Sequence, residues 1–265
     1  MAAISAHGLD DYIAKAHGNA TKVLNAGGVW MRMLRDLDAA FDFAGESIVP
    51  KAGTIVGAFV AASHSSWLAA ANLALSAHLA ESFQPLRGCL ESAFYGYHIQ
   101  TDGDAWTRWS RRPTAARLRR PGVDQKALVQ ERKAVGREFS VSTIARTLPA
   151  SQSALRDRAL DLHEELIDYG AHFNFGVLDR AFRATGIGAD FYSAEIKILI
   201  SGEKERAFCF TKLIQVGMCA LQVLDLGIGP EWDGDKLKNT LASLLNALRK
   251  RSKERLSRRG TVTYS

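Results

Sequence analysis

The sequence predicts an all-α protein: a helical bundle of about eight helices with one small β-hairpin inserted near residues 177–200. Three observations carry that expectation. Apolar residues recur at three- and four-residue steps through most of the chain, helix start and stop signals punctuate it, and the period shortens only after Asn174.

A first helix is expected over Asp10 to Leu24. Trp30, Met33, Leu34, Leu37, Ala40 and Phe41 mark a second over Val29 to Phe43. Pro50 stands where a first-turn proline belongs and opens a long Ala-rich helix to about Ser82. Pro85 starts the next, to about Gln100, with Leu86, Leu90, Phe94 and Tyr97 on one face; Thr101, Asp102 and Gly103 end it, and Asp104 is placed to cap a short helix.

The stretch from Arg108 to Arg120 reads as an exposed arm. Arg108, Arg111, Arg112, Arg117, Arg119 and Arg120 crowd into it, with Trp106 and Trp109 at its front and prolines at 113 and 121. Helices over Asp124 to Phe139 and Val141 to Thr147 follow, and Ser151 is placed to cap one from Gln152 to about Gly170. Val177 to Thr185 and Phe191 to Ile200 flank Gly186, Ile187, Gly188 and Ala189, as the strands of a hairpin would. A helix from Glu203 to Leu226 stops at Gly227, and a last one from Asp235 to about Leu256 ends in a basic tail. The chain is read as one domain over 1–248 with a C-terminal tail at 249–265.

At 47% hydrophobic and 23% charged residues, the composition is that of a globular protein and excludes wholesale disorder or a disulfide scaffold. Cys89, Cys209 and Cys219 lie among apolar neighbours without C-x-x-C pairing, so they read as core residues in a reducing compartment. Asp10 and Asp11 sit where the apolar core of a secretory signal would run, so a cytoplasmic location is expected. No charge occurs between Lys51 and Glu81, a length that raises the question of a membrane span. Ser63, His64, Ser65 and Ser66 at its centre favour a buried bundle helix, and no membrane association is expected.

Several polar residues fall on inward arcs. His64 and His78 are expected on one face of the long helix, looking inward. On the following helix Arg87, Glu91 and His98 share a narrow arc, with Arg87 and Glu91 at ion-pair spacing. With His172 and Asn174 they form the expected polar cluster, which either serves as a site or satisfies itself and pins helix register. A di-metal site would need Glu-x-x-His twice, and no glutamate here is followed three residues later by histidine, so neither metal nor cofactor is expected.

Positive charge is localised. The arm and the tail, with Arg249, Lys250, Arg251, Lys253, Arg255, Arg258 and Arg259, together exceed the net charge of +6. Such segments attract RNA or another nucleic acid, and Trp106 and Trp109 offer stacking faces to unpaired bases. A solvated helix face and tail is the alternative. Gly-rich phosphate loops, G-x-S-x-G and H-E-x-x-H are missing from the sequence.

The run Leu86-Arg87-Gly88-Cys89-Leu90-Glu91-Ser92-Ala93, followed by Leu166-Ile167-Asp168-Tyr169-Gly170-Ala171-His172-Phe173-Asn174, resembles uncharacterised bacterial helical proteins of the HEPN-like superfamily. The resemblance spans roughly residues 50 to 226. It implies a homodimer and, in many members, a metal-independent ribonuclease of toxin–antitoxin or antiphage systems, with an antitoxin as a partner. Members carry Arg-x4-6-His, and Arg156 with His163 fits that spacing better than Arg158, because seven residues bring the pair to one helix face. The resemblance makes His163 the general acid or base and Arg156 the stabiliser of phosphorane charge. The alternative is a non-catalytic helical module that dimerises and binds nucleic acid through its basic segments.

Overall fold

A computed structural model describes residues 8–119, 122, 124–171, 182–186, 192–196, 199, 202–228 and 234–259. The fold is an all-α bundle. Its helices are α1 (Leu9–Ala26), α2 (Val29–Leu75), α3 (Phe83–Thr101), α4 (Ala105–Ser110), α5 (Ala115–Leu118), α6 (Gln125–Glu138), α7 (Val141–Ala145), α8 (Ser153–Leu166), α9 (Glu203–Ile228) and α10 (Gly234–Arg259). These ten, among the described residues, exceed the expected eight; α4 is the short helix expected after Asp104, and the arginine-rich arm adds α5. Between α8 and α9, strands β1 (Phe182–Gly186) and β2 (Tyr192–Ile196) pair antiparallel, Phe182 opposite Ile196 and Gly186 opposite Tyr192.

The long α2 is two antiparallel arms. Gly53 interrupts it at φ 81° and ψ 167°, a conformation open to glycine and costly for residues with a Cβ. Residues 26 apart in a straight helix would be ~39 Å apart. Instead His64 Nε2 lies 2.7 Å from Asp38 Oδ1, and Phe41 stacks on the His64 ring at 5.0 Å. The break therefore falls at Gly53 and not at Pro50.

The second arm also ends sooner than expected. It stops at Leu75, where Ala77 takes φ 73° and the backbone bonds His78 N–H to Leu73 O and Ala77 N–H to Ala74 O close a Schellman turn. His78 consequently leaves the helix that carries His64. It sits in the turn, partly buried, where its Nε2 pairs with the Tyr12 hydroxyl of α1.

Helix α3 is the centre of the bundle and packs on α2, α9, α8 and α7. Leu86, Cys89, Leu90, Ala93 and Phe94 are fully buried, alongside Leu37, Leu213, Ile214 and Val223 from the flanking helices. Close approach is achieved with small residues: a Cβ on Gly96 would lie 3.1 Å from Phe59, and one on Gly217 only 2.5 Å from Leu37. The three cysteines are free and buried, as their apolar neighbours suggested. Two stretches, Gly53–Leu75 and Glu203–Gly227, are long and apolar enough to cross a membrane; of an apolar run of 18 residues within each, 39% and 67%, respectively, are buried inside the bundle.

The short helices start with ordinary side-chain caps. Thr114, Asp124 and Ser140 accept backbone N–H bonds at the starts of α5, α6 and α7. Asp104 makes no such cap; its own N–H donates to Asp102 Oδ1 at 3.1 Å. Nor does Ser151 cap α8, which begins after a 3-10 turn at Ala150–Gln152.

Candidate functional site

One edge of α3 carries Arg87, Glu91, Tyr95 and His98, spaced three or four residues apart and so aligned in a stripe that Asp102 continues at the helix's C-cap. The stripe is ~22 Å long at 1.5 Å per residue, too long for a single cluster. Its two ends meet different helices, and the expected cluster divides accordingly.

At the N-terminal end Arg87 Nε donates to Glu91 Oε1 at 2.7 Å, and His163 Nε2 of α8 lies 3.3 Å from the same oxygen. All three side chains are partly buried. Burial opposes the charge on Glu91, but the hydrogen bonds from His163 and Arg87 outweigh it and hold the carboxyl below its ordinary range. A carboxylate against one nitrogen of an imidazole fixes the ring's orientation, the arrangement used by acid–base histidines and by structural ion pairs alike.

Arg156 stands apart from this group. Its Nε donates to the neighbouring Asp157 at 3.0 Å, and it lies two helical turns, ~10.5 Å along α8, from His163. The cation beside His163 is Arg87, brought by α3. His172 and Asn174 lie outside the described residues.

The C-terminal end of the stripe holds His98, which is buried and lies two turns, ~10.5 Å along α3, from Glu91, so it does not join Arg87 and Glu91. His98 Nε2 is 3.0 Å from Glu138 Oε1 at the end of α6. Arg108 of α4 donates through Nε to both oxygens of Glu138, at 2.9 and 3.1 Å, and through Nη2 to Asp102 at 2.5 Å. Arg108 holds the Asp102 carboxyl below its ordinary range. Burial opposes the charge on Glu138, and Arg108 and His98 together overcome it. The bond to Glu138, with that to Asp102, raises Arg108 further still.

Aromatic rings join the two ends. Trp109 packs on Phe139 at 4.6 Å and on Tyr95 at 5.1 Å, and Arg112 lies 5.4 Å from the Trp109 ring centre. Burial, followed by the charge of Glu91, pushes the Tyr95 hydroxyl up to about 12.

The arm thus divides into two kinds of residue. Arg108, Arg112 and Trp109 are committed to the fold. Arg111, Arg117 and Arg119 are exposed, with no carboxylate paired to them among the described residues, and Trp106 is 38% exposed. Arg120 lies outside the described residues. Beside the arm, Thr107, Arg108, Arg111, Glu131, Val135 and Glu138 line a cleft of about 320 Å³. In the C-terminal segment, the α10 backbone stays helical as far as Arg259.

Sequence reasoning reached Arg87, Glu91 and His163 but assigned His163 a different arginine. It missed Glu138, for which no local signal exists: it meets His98 from 40 residues away. The spacing of His98 and Asp102 at i and i+4 was the available clue. Comparison with family models, with curated proteins and with solved structures finds no match for this chain.

Proposed function

We propose that this chain is a helical nucleic-acid-binding protein that takes single-stranded RNA on the α4–α5 corner. The observation that carries the reading is the division within the arm: Arg111, Arg117, Arg119 and Trp106 are exposed, while the fold uses Arg108 and Arg112. Unpaired guanidiniums neutralise phosphates, and an exposed indole stacks on a base whatever its identity. Fluorescence anisotropy with a labelled RNA oligomer tests it. Affinity should fall by roughly 0.7 log unit per log unit of salt for each phosphate contacted. The triple variant Arg111→Ala, Arg117→Ala, Arg119→Ala should flatten that slope; an unchanged slope refutes the assignment.

A second reading, a metal-independent ribonuclease like those of the HEPN-like superfamily, is favoured by the contact between Glu91 and His163. In it His163 exchanges the proton of the ribose 2′-hydroxyl or the leaving oxygen, Glu91 orients the ring, and Arg87 takes the place first given to Arg156 in neutralising the phosphorane. Cleavage of RNA in the presence of chelator, lost in His163→Ala and kept in Arg156→Ala, supports this reading. No cleavage by the wild-type chain removes it. The homodimer and antitoxin implied by the resemblance, and a cytoplasmic location, belong to this second reading as further proposals.

A further inference from the structure

We infer that His98, Asp102 and Glu138 form a binding site for a divalent transition-metal ion such as Zn²⁺, and that the Arg108 guanidinium is its displaceable internal competitor. One ligand atom from each of the three residues lies within 4.8 Å of the others. His98 lies in the last turn of α3 and Asp102 is the extended residue that caps its C-terminus, and α6 supplies Glu138 from a second direction. Imidazole nitrogen with carboxylate oxygens is a donor set that Zn²⁺ accepts, and three protein ligands leave a fourth position open.

The second observation is the cation already present. Arg108 spans both carboxylates, so the fold itself places a positive charge at this point. The exchange balances in charge: one Arg108 cation against two carboxylates leaves a residual negative charge, which a dication would cancel. The movements required are small. Ligand atoms around an ion at ~2.1 Å sit ~3.4 Å apart, against at most 4.8 Å between these three, and the Asp102 side chain is 41% exposed. Arg108 is 38% exposed and borders the cleft with Arg111, so it has somewhere to go.

The test is calorimetric titration of the full-length, chelator-treated chain with ZnCl₂ at pH 7.5, with Co²⁺ absorption as a second probe. One ion per chain is expected. Arg108→Met should bind at least tenfold more tightly, because it removes the competitor and leaves all three ligands. His98→Ala and the more exposed Asp102→Asn should each lose at least tenfold, with circular dichroism confirming that they fold; Asp102→Asn remains decisive if His98→Ala does not. Wild type and Arg108→Met that both fail to bind, or uptake unchanged in Asp102→Asn, overturn the inference. RNA binding measured in chelator is independent of it.

Discussion

Glu91 on α3 and His163 on α8 meet at 3.3 Å across 72 residues of sequence, and Arg87 closes on the same carboxylate from one helical turn away. The pair ties the central helix to α8 by a charge-assisted contact that is neither fully buried nor freely solvated. Its net contribution therefore lies between the ~0–1 kcal/mol of surface pairs and the 3–5 kcal/mol lost when a buried partner is stranded.

A pH dependence follows. The folded chain holds Glu91 below its unfolded value of about 4.3, so the unfolded chain takes up this proton first as pH falls. The stabilisation is complete above that value and is lost as pH drops from it through the lower folded value. Melting temperature followed from pH 7 to pH 3 should fall on this acid limb. In Glu91→Gln the limb should be shallower, and stability at pH 7 lower by about 1–3 kcal/mol. Asp102 and Glu138 keep part of the limb, since both are shifted in the same direction.

Gly53 makes the reversal in α2 possible. With φ at 81° and no atom within 4 Å of a built Cβ, the penalty for Gly53→Ala is purely conformational. A residue held in such a region costs about 1–3 kcal/mol, or roughly 2–12 °C of melting temperature in a chain of this size. Thermal melts showing an unchanged or raised midpoint would mean that the arms of α2 do not fold back at this residue.

Legibility in the sequence followed the range of the interaction. The helical class and most of α3, α6 and α9 could be read because local periodicity and caps specify them. The end of α2 could not, since the left-handed stop is Ala77 where glycine is the usual signal. The site was half legible: Arg87 and Glu91 declare themselves by spacing, whereas His163 and Glu138 arrive from other helices, and only packing decides which carboxylate each histidine or arginine meets. The arginine-rich arm looked uniformly exposed because composition cannot separate an arginine that bridges Asp102 and Glu138 from one that faces water.

The three thiols should be silent in the native state. Burial pushes Cys89 and Cys219 up to about 12 and Cys209 to about 11, and all three are 1% exposed or less. A colorimetric thiol reagent at pH 8 should count almost none within minutes in buffer and all three in denaturant. Fast reaction of one thiol in buffer would show that α3 or α9 opens locally.

Gly217 separates two opposed effects. Alanine in a helix interior is favoured over glycine by about 1 kcal/mol. Here, however, the new Cβ would lie 2.5 Å from Leu37 and 2.9 Å from the Trp67 indole nitrogen, which donates to Leu213 O. Leu37 is fully buried and Trp67 nearly so, which leaves little room to yield, and overpacking of this kind costs about 1–3 kcal/mol. Gly217→Ala should therefore be destabilising in chemical denaturation, with an unchanged m-value. A stabilised variant would place α9 farther from α2 than the structure has it.

Arg108 and Arg117 share one arm but should fail in opposite ways. Arg108→Ala removes the cation from Glu138 and Asp102 and should lower stability by about 1–2 kcal/mol, less than for a fully buried pair because Arg108 and Asp102 are 38% and 41% exposed. In melting temperature that is roughly 2–8 °C. Arg117 is exposed and pairs with no carboxylate among the described residues, so Arg117→Ala should leave the midpoint unchanged within about 0.5 kcal/mol. Its effect should appear instead in RNA affinity, as a salt slope shallower by ~0.7. Measuring melting temperature and anisotropy on the same two variants separates the roles. Equal stability losses would mean that the arm is structural throughout, and RNA affinity unchanged in Arg117→Ala would remove that residue from the binding surface.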